Sequence, residues 1–269
     1  MKPLPGRLVL LGHPVAHSLS PTFQNVALRR AGLPLWYEAV DVEPHALAAT
    51  LDGLVAENAA GNVTVPHKEV VFARCTRRSG LAERVGAVNT FWVEGGDLVG
   101  DNTDVGGFLD LLRETAPNVD SSRSAAVIGA GGSAAAVLVA LEQARFADVR
   151  ISARTASRAV ALCARFPHAR TSENNAAAIR GAGLVVNATP LGIGGHGTPF
   201  DVQLVDRDAV VLDLVYVRDG ETPLVQAARS RGLLAASGLP MLLGQGARSF
   251  ELWFGRAPDR DAMRASVTR

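Results

Sequence analysis

Polar side chains of three kinds follow one apolar stretch in the first third of the chain. Asn62, Thr64 and Lys68, in the segment GNVTVPHK, supply an amide, a hydroxyl and an amine within seven residues. Ligands of α/β proteins bind at the carboxyl ends of strands, which is where this segment would lie. Asn89 and Asp104 add an amide and a carboxylate. Asn89, Asp101 and Asn102 are each singly typical of a turn, but all these polar groups together predict a site for a small polyhydroxylated acid.

Lys68 stands out against the composition of the chain. Among 27 basic residues only Lys2 and Lys68 are lysine, and the rest are arginine. An internal lysine that persists against such a bias indicates a need for an amine, because an amine loses its proton far more readily than a guanidinium does. The alternative interpretation is a solvated lysine at the start of a helix.

Two serines lie two residues apart in the segment GHPVAHSLSP, where a predicted first strand gives way to a helix. Ser20 followed by Pro21 is typical of a helix N-cap with proline at the first helical position. Ser18 has no such structural role. The pair is therefore a candidate for binding a carboxylate.

A glycine-rich segment in the second half has the pattern GxGxx(G/A). It contains Gly129, Ala130, Gly131, Gly132, Ser133 and Ala134, and it stands between a predicted strand and a predicted helix. In that context the pattern is typical of a dinucleotide site, since the glycines admit a pyrophosphate to the free amides of the helix N-terminus. An ordinary glycine turn is the alternative.

The next predicted strand, Val149 to Ser152, ends without the carboxylate that would accept a hydrogen bond from an adenosine ribose. Arg154, Thr155 and Arg158 follow it instead. Two guanidinium groups and a hydroxyl suit a 2′-phosphate, so the sequence predicts NADP rather than NAD. For Arg158 a solvated position on a helix is the simpler alternative.

Composition limits the remaining classes of function. The chain has 269 residues, 48% of them hydrophobic, so it is long enough for one or two hydrophobic cores. Its formal net charge of +1 provides no positive field, which disfavours a protein that binds nucleic acid or acidic membranes. Cys75 and Cys163 are too few for a disulfide framework, which favours the cytoplasm. The first residues lack the pattern of a signal peptide. His13, His17 and His67 show no metal-ligand spacing.

Apolar strand-like runs alternate with helical patterns, which predicts an α/β architecture with largely parallel sheets. A polar stretch at 116–124 precedes a new series of βα patterns. We therefore predict two α/β domains. The substrate domain covers 1–104 and is completed by 240–269, and a Rossmann domain covers 105–239.

Seven motifs in order resemble the shikimate dehydrogenase family. They are GHPVAHSLSP, NVTVPHK, GAVNT, GDNTD, GAGGSA, NATPLG and GLPMLLGQ, and they extend from Gly12 to Gln245. The resemblance implies an enzyme that reversibly reduces 3-dehydroshikimate to shikimate with NADPH, a step toward aromatic amino acids. The implied partner is this small molecule, with no nucleic acid and no membrane, for a monomer or homodimer.

The resemblance also implies roles for individual residues. Lys68 and Asp104 would form the catalytic acid–base pair, and Ser18 and Ser20 would bind the substrate carboxylate. The ring hydroxyls would contact Thr64, Lys68, Asn89, Asp104 and Gln245, and Tyr216 would lie nearby in the substrate site. On the cofactor side, the implied contacts beyond the glycine segment and the arginines are Asn187, Thr189, Leu214, Gly238 and Met241.

Two departures from the family pattern are visible. The tract from Tyr216 to Thr222 is one residue longer than usual, and Ala153 stands where asparagine is frequent. A weaker preference for NADP would follow from the second departure. Two alternatives stay open: a sister enzyme acting on quinate or aminoshikimate, and a non-catalytic relative that senses NADP or a metabolite.

Overall fold

The computed structural model describes residues 4–268. The chain divides into two compact units. Unit 1 contains the residues up to Asp104 and those from Leu242 onward, and unit 2 is Val105–Met241. Unit 2 is thus inserted into the sequence of unit 1, and both crossings fall in the first turn of a helix.

The elements follow one another in chain order. The first are β1 (Leu8–Gly12), α1 (Ser20–Arg30), β2 (Tyr37–Asp41), α2 (Leu47–Ala56), β3 (Ala60–Val63), α3 (Lys68–Arg74), β4 (Arg77–Arg78), α4 (Gly80–Val85), β5 (Thr90–Glu94) and β6 (Asp97–Asp101). The next are α5 (Asp104–Thr115), β7 (Ala125–Ile128), α6 (Gly132–Gln143), β8 (Val149–Ser152), α7 (Ala156–Cys163), β9 (Ala169–Thr171), α8 (Asn175–Ile179), β10 (Leu184–Asn187), β11 (Val210–Asp213), α9 (Pro223–Ser230) and β12 (Leu234–Ser237). The last are α10 (Leu239–Phe254) and α11 (Arg260–Ala265). Short 3₁₀ turns lie at Pro44–Ala46, Ile193–Gly195 and Val202–Leu204.

The sheet of unit 1 has the order β2-β1-β3-β5-β6-β4. Its strands run in one direction except β5, which is antiparallel to both of its neighbours. Every residue of β1 and β3 is buried, as expected for central strands covered on both faces. Because β5 runs the other way, the residues just before β5 lie at the same edge as those that follow β1, β3 and β6.

The sheet of unit 2 has the order β12-β11-β10-β7-β8-β9 and is parallel throughout. The chain proceeds outward from β7 to β9, then returns to β10 beside β7 and proceeds outward on the other side. This reversal of strand order is where doubly wound sheets bind ligands, at the carboxyl ends of the strands. The predicted α/β fold class, with one mainly parallel sheet and one Rossmann sheet, is confirmed.

The N-cap predicted at Ser20 is wrong by one residue. Leu19 already has helical backbone angles (φ −84°, ψ −7°) and is the N-cap, so Ser20 is the first residue of α1 and Pro21 the second. The hydroxyl that supports this helix start belongs to Ser18, whose Oγ accepts a hydrogen bond of 3.2 Å from the backbone N–H of Ser20.

Two strands of unit 2 had no counterpart in the prediction. β9 and β12, with the sequences ART and LAAS, contain little of the β-branched and aromatic content that marks a strand. They form because each pairs in parallel with a neighbouring strand, β9 with β8 and β12 with β11. Within the described residues, no helix has the length and apolarity needed to cross a membrane.

Candidate active site

Lys68 and Asp104 form a buried ion pair in unit 1. Lys68 begins α3 and Asp104 begins α5, so each stands directly after the loop that leaves one strand end. Nζ of Lys68 donates to Oδ2 of Asp104 over 2.6 Å, and the two side chains are 12% and 6% exposed. An amine and a carboxylate in direct contact, shielded from most solvent, can exchange a proton with a bound molecule.

The second carboxylate oxygen of Asp104 is also engaged. Its Oδ1 accepts 2.8 Å from Nδ2 of Asn89, and its backbone N–H donates 3.1 Å to Oδ1 of Asn102. A buried charge is tolerated only when its hydrogen-bonding atoms have partners. Asn89 precedes the antiparallel strand β5, and this is why it reaches the same edge of the sheet as the ion pair.

Gln245 reaches this cluster from α10. Its Oε1 lies 3.2 Å from Nδ2 of Asn89, and its Nε2 donates 2.8 Å to the carbonyl oxygen of Leu242. The amide of Asn89 has two hydrogens and faces three acceptors, since Oγ1 of Thr103 lies 2.9 Å away. The contact with Gln245 is the longest of the three. Oε1 of Gln245 therefore has the most capacity left to accept a hydrogen bond from the hydroxyl of a ligand.

The predicted carboxylate-binding serines lie at the same edge. Ser18 is in the loop after β1 and half-buried, while Ser20 opens α1 and is 4% exposed. Thr64 follows β3, the neighbour of β1 in the sheet, and is half-buried. Unit 1 thus brings Ser18, Ser20, Thr64, Lys68, Asn89, Asp104 and Gln245 to the edge formed by the ends of β1, β3 and β6 and the start of β5.

The neighbouring histidines have structural partners. Nε2 of buried His67 lies 2.6 Å from the carbonyl oxygen of Val42, and Nδ1 of His13 lies 2.5 Å from Oδ1 of Asp41. The hydrogen bond with His13 lowers the pKa of the exposed Asp41 carboxylate. Among residues 4–268, no group of three or more His, Cys, Asp and Glu side chains is placed to hold a metal ion.

The glycine-rich turn of unit 2 connects β7 to α6. Gly129 has φ +124°, and a Cβ there would lie 2.7 Å from the carbonyl oxygen of Ala188, so only glycine fits. Gly131 is the extended N-cap of α6, with no side-chain cap, and nothing lies within 4 Å of the place of its Cβ. Backbone N–H groups at this helix N-terminus are suited to a phosphate. Ala134 is fully buried, as close packing requires.

The residues predicted for the adenosine end follow β8, the neighbour of β7. Arg154, Thr155 and Arg158 are all exposed at the start of α7. Thr155 is the N-cap of this helix, although its side chain accepts no capping hydrogen bond. Two exposed guanidinium groups and a hydroxyl beside the glycine-rich turn fit the 2′-phosphate of NADP.

Asn187 ends β10 and has every side-chain polar atom engaged within the protein. It is fully buried, its Nδ2 donates to Oδ1 of Asp213 and to the carbonyl oxygen of Leu191, and its Oδ1 accepts from both N–H and Oγ1 of Thr189. The side chain therefore orients Thr189, which is half-buried, rather than offering an atom to a ligand.

Asp213 is a buried carboxylate that is not among the predicted site residues. Its Oδ2 accepts 2.6 Å from Oγ1 of Thr222, and its Oδ1 accepts from Asn187 and from the N–H of Val215. Burial raises the pKa of Asp213, against the lowering effect of these three hydrogen bonds. The carboxylate thereby joins the Thr189 turn to the loop that contains Tyr216.

The last predicted cofactor residues lie around the ends of β11 and β12. Gly238 packs against Leu214, whose carbonyl oxygen would lie 2.2 Å from a Cβ at that glycine. Met241 is 7% exposed in the first turn of α10. Tyr216 is half-buried in the loop between β11 and α9.

Known proteins match this chain along most of its length. The family models described as "Shikimate dehydrogenase substrate binding domain" and "Shikimate 5'-dehydrogenase C-terminal domain" match residues 10–91 and 238–268. A shikimate dehydrogenase (NADP(+)) of Mesorhizobium japonicum is 46% identical, over 92% of this chain and 90% of its own. One from Symbiobacterium thermophilum is 44% identical, over 98% and 94%. The chain belongs to the shikimate dehydrogenase family.

Solved structures of shikimate dehydrogenases have the same fold. The enzyme of Aquifex aeolicus matches with a TM-score of 0.90 and 36% identity, over 98% of both chains. That of Thermus thermophilus, in complex with NADP(H) and shikimate, matches with a TM-score of 0.86 and 39% identity, over 97% of this chain and 98% of its own. A quinate dehydrogenase of Corynebacterium glutamicum in complex with NAD matches with 0.84 and 30%, over 96% and 97%. The fold alone therefore does not separate these substrates.

Some polar residues behind the shikimate dehydrogenase motifs were not predicted from the sequence. Asp213 and Thr222 are one case, and a chain of buried side chains behind Asn89 is another. The available signal was an ionisable or hydroxyl side chain inside an otherwise apolar run, such as Asp213 in VVLDLVY and Ser249 on the buried face of α10. Such a residue needs a buried partner, but the sequence does not name the partner.

Proposed function

We propose that this chain catalyses the reversible, NADPH-dependent reduction of 3-dehydroshikimate to shikimate, a step toward aromatic amino acids. The observation that carries the proposal is the buried contact of Lys68 with Asp104. It lies at an edge of unit 1 where small polar side chains collect, in a chain 46% identical to a relative named for this reaction.

The chemistry requires a proton as well as a hydride. NADPH, when bound, supplies the hydride to the carbonyl carbon of the substrate. The electron pair of the C=O bond then resides on oxygen, which must gain a proton. Nζ of Lys68 holds that proton and donates it, and Oδ2 of Asp104 keeps the ammonium oriented. In the reverse direction the neutral amine accepts the proton of the hydroxyl.

Substrate binding follows from the small polar groups at the same edge. We assign the carboxylate to Ser18 and Ser20, and the ring hydroxyls to Thr64, Lys68 and Gln245. Asn89 is 2% exposed, and its two amide hydrogens already have acceptors in Thr103 and Asp104, so we propose that it holds Asp104 in place for the substrate. The contact of Tyr216 with substrate rests on the family resemblance and stays a prediction.

We propose that unit 2 binds NADP in three places. The segment from Gly129 to Ser133 offers backbone amides to the pyrophosphate, and Arg154, Thr155 and Arg158 offer positive charge and a hydroxyl to the 2′-phosphate. For the nicotinamide end we propose Thr189, Leu214, Gly238 and Met241. Asn187 supports Thr189 without direct contact. No carboxylate stands at Ala153 to favour NAD.

The decisive experiment measures initial rates of cofactor reduction at 340 nm. Shikimate and quinate are each paired with NADP and NAD, for the wild type and for Lys68→Ala. The proposal expects shikimate with NADP to be fastest, and the variant to lose turnover while it still binds shikimate. Faster turnover of quinate would favour the sister enzyme. Binding of NADP without turnover of either substrate would favour a sensing protein.

We make three further proposals, on the domains, the compartment and the oligomeric state of this protein. We propose that 1–104 with 240–269 form the substrate domain and 105–239 the cofactor domain. We propose a cytoplasmic protein, for which the free thiols of Cys75 and Cys163 are suited. The monomer or homodimer expected from the family is tested by light scattering during size-exclusion chromatography.

A further inference from the structure

A chain of buried hydrogen bonds extends behind the ion pair, entirely within unit 1. It connects side chains from β2, β3, α10 and the loops before β5 and α5. Its members are at most 5% exposed, and they are Tyr37, Asn62, Ser249, Thr103 and Asn89. None of the first three is placed to contact a substrate by the function proposed above.

The direction of the hydrogen bonds is fixed at the Tyr37 end. The phenol of Tyr37 donates 2.9 Å to Oδ1 of Asn62. The nitrogen of that amide therefore faces the other way, and its two hydrogens go to Oγ of Ser249 at 2.8 Å and to the carbonyl oxygen of Asn89 at 3.1 Å. Both hydrogens of Nδ2 are thereby used.

Ser249 transmits this direction. Its only hydroxyl hydrogen is donated to the carbonyl oxygen of Gln245, 3.0 Å away on the preceding turn of α10. Its oxygen can then only accept, from Asn62 and from Oγ1 of Thr103 at 3.1 Å. Thr103 must be the donor in that contact, because a hydroxyl has one hydrogen.

Thr103 in turn controls Asn89. With its hydrogen donated to Ser249, Oγ1 of Thr103 presents a lone pair to Nδ2 of Asn89 at 2.9 Å. The backbone N–H of Thr103 donates 2.7 Å to Oδ1 of the same amide. Both ends of the Asn89 amide are thus held, with the nitrogen 2.8 Å from Oδ1 of Asp104.

We propose that Ser249 is a positioning residue for the acid–base pair, acting through Thr103 and Asn89 on the carboxylate of Asp104. The inference rests on the proposed roles of Lys68 and Asp104. Without the Ser249 oxygen, the Thr103 hydroxyl has an alternative acceptor in Oδ1 of Asn89, 3.2 Å away. That rotation withdraws the lone pair from Nδ2 and loosens the amide that aligns Asp104.

The test is a double-mutant cycle in kcat between Ser249→Ala and Thr103→Val, with Thr103→Ser as the conservative variant. We expect each of the first two to lower kcat by about tenfold, within the roughly hundredfold loss that a misplaced catalytic group can cause. The double variant should lose no more than either single one, because both break the same chain. Thr103→Ser keeps the hydroxyl and should keep kcat. The KM for NADP should stay unchanged throughout.

A matched control separates positioning from stability. Ser124 in unit 2 is also buried, and its Oγ has no hydrogen-bond partner, so Ser124→Ala should leave kcat unchanged. Melting temperatures are measured for all variants. Lower melting temperatures with unchanged kcat in Ser249→Ala and Thr103→Val, or additive losses in the double variant, would overturn the proposal. Full turnover in Asp104→Asn would overturn the acid–base pair as well.

Discussion

Nδ2 of Asn89 and Oε1 of Gln245 lie 3.2 Å apart, although 156 residues separate them in sequence. The first precedes an antiparallel strand in the N-terminal part of unit 1, and the second belongs to the helix by which the chain returns to that unit. This contact completes the polar cluster around Lys68 and Asp104. The proposed chemistry therefore depends on both parts of the sequence that form unit 1.

Lys68→Arg should abolish turnover nearly as completely as Lys68→Ala. Arginine keeps the positive charge beside Asp104, but its guanidinium scarcely deprotonates, so it cannot exchange a proton with substrate. We expect kcat to fall by about 10²- to 10⁴-fold, the usual contribution of a general acid–base group. Initial rates at 340 nm measure the loss. Glu69→Gln, on the exposed side of α3, is the control and should keep wild-type rates.

Arg154→Ala and Arg158→Ala should each reduce the preference for NADP over NAD. Hydrogen bonds to charged groups contribute about 1.5–3 kcal/mol, so the KM for NADP should rise by roughly 10- to 100-fold. The KM for NAD, which lacks the 2′-phosphate, should not change. Arg123→Ala serves as the control because Arg123 precedes β7, at the opposite end of the strand from Gly129. An equal rise for both cofactors would contradict the assignment.

Gly129→Ala and Gly131→Ala should have different effects on stability. Alanine at 129 must adopt φ +124° against a carbonyl oxygen, so we expect a loss of about 1–3 kcal/mol and a lower melting temperature. Gly131 has φ −103° and open space, so its alanine variant should melt like the wild type. The added methyl group should nevertheless weaken NADP binding, measured by titration calorimetry. Unchanged affinity would place the pyrophosphate elsewhere.

Asp213→Asn should change how stability depends on pH. Burial raises the pKa of Asp213 above its ordinary 3.8, so the folded chain holds the proton to higher pH than the unfolded chain does. Between the pKa of Asp213 in the unfolded chain and its pKa in the folded chain, the folded state binds more protons, so the wild type loses stability as pH rises. The free energy of unfolding of the wild type minus that of the variant should therefore fall over this window and then level off. Urea unfolding at several pH values measures it, and a constant difference would be the contrary result.

The sequence predicted most of the fold because apolar runs and glycine turns are local signals. The strands around Ala126 and Val185 are recognised from a few consecutive residues, whereas β12 exists only by pairing with β11. The residues proposed for the site were likewise found through short motifs. Their hydrogen-bond partners could not be found in this way. Tyr37, Asn62 and Ser249 are joined by hydrogen bonds in the fold, but Asn62 and Ser249 are 187 residues apart in sequence.

The insertion of unit 2 into unit 1 has a consequence for the newly made chain. Domains fold as units while the ribosome extends the polypeptide. Lys68, Asn89 and Asp104 are synthesised before unit 2, whereas Gln245 and Ser249 emerge after it. Unit 2 is therefore able to close its sheet while the buried contacts behind Asp104 still lack α10. We expect translation products that stop at Met241 to retain the fold of unit 2, which is proposed to bind NADP, and to be inactive. Turnover should begin only once α10 has been synthesised.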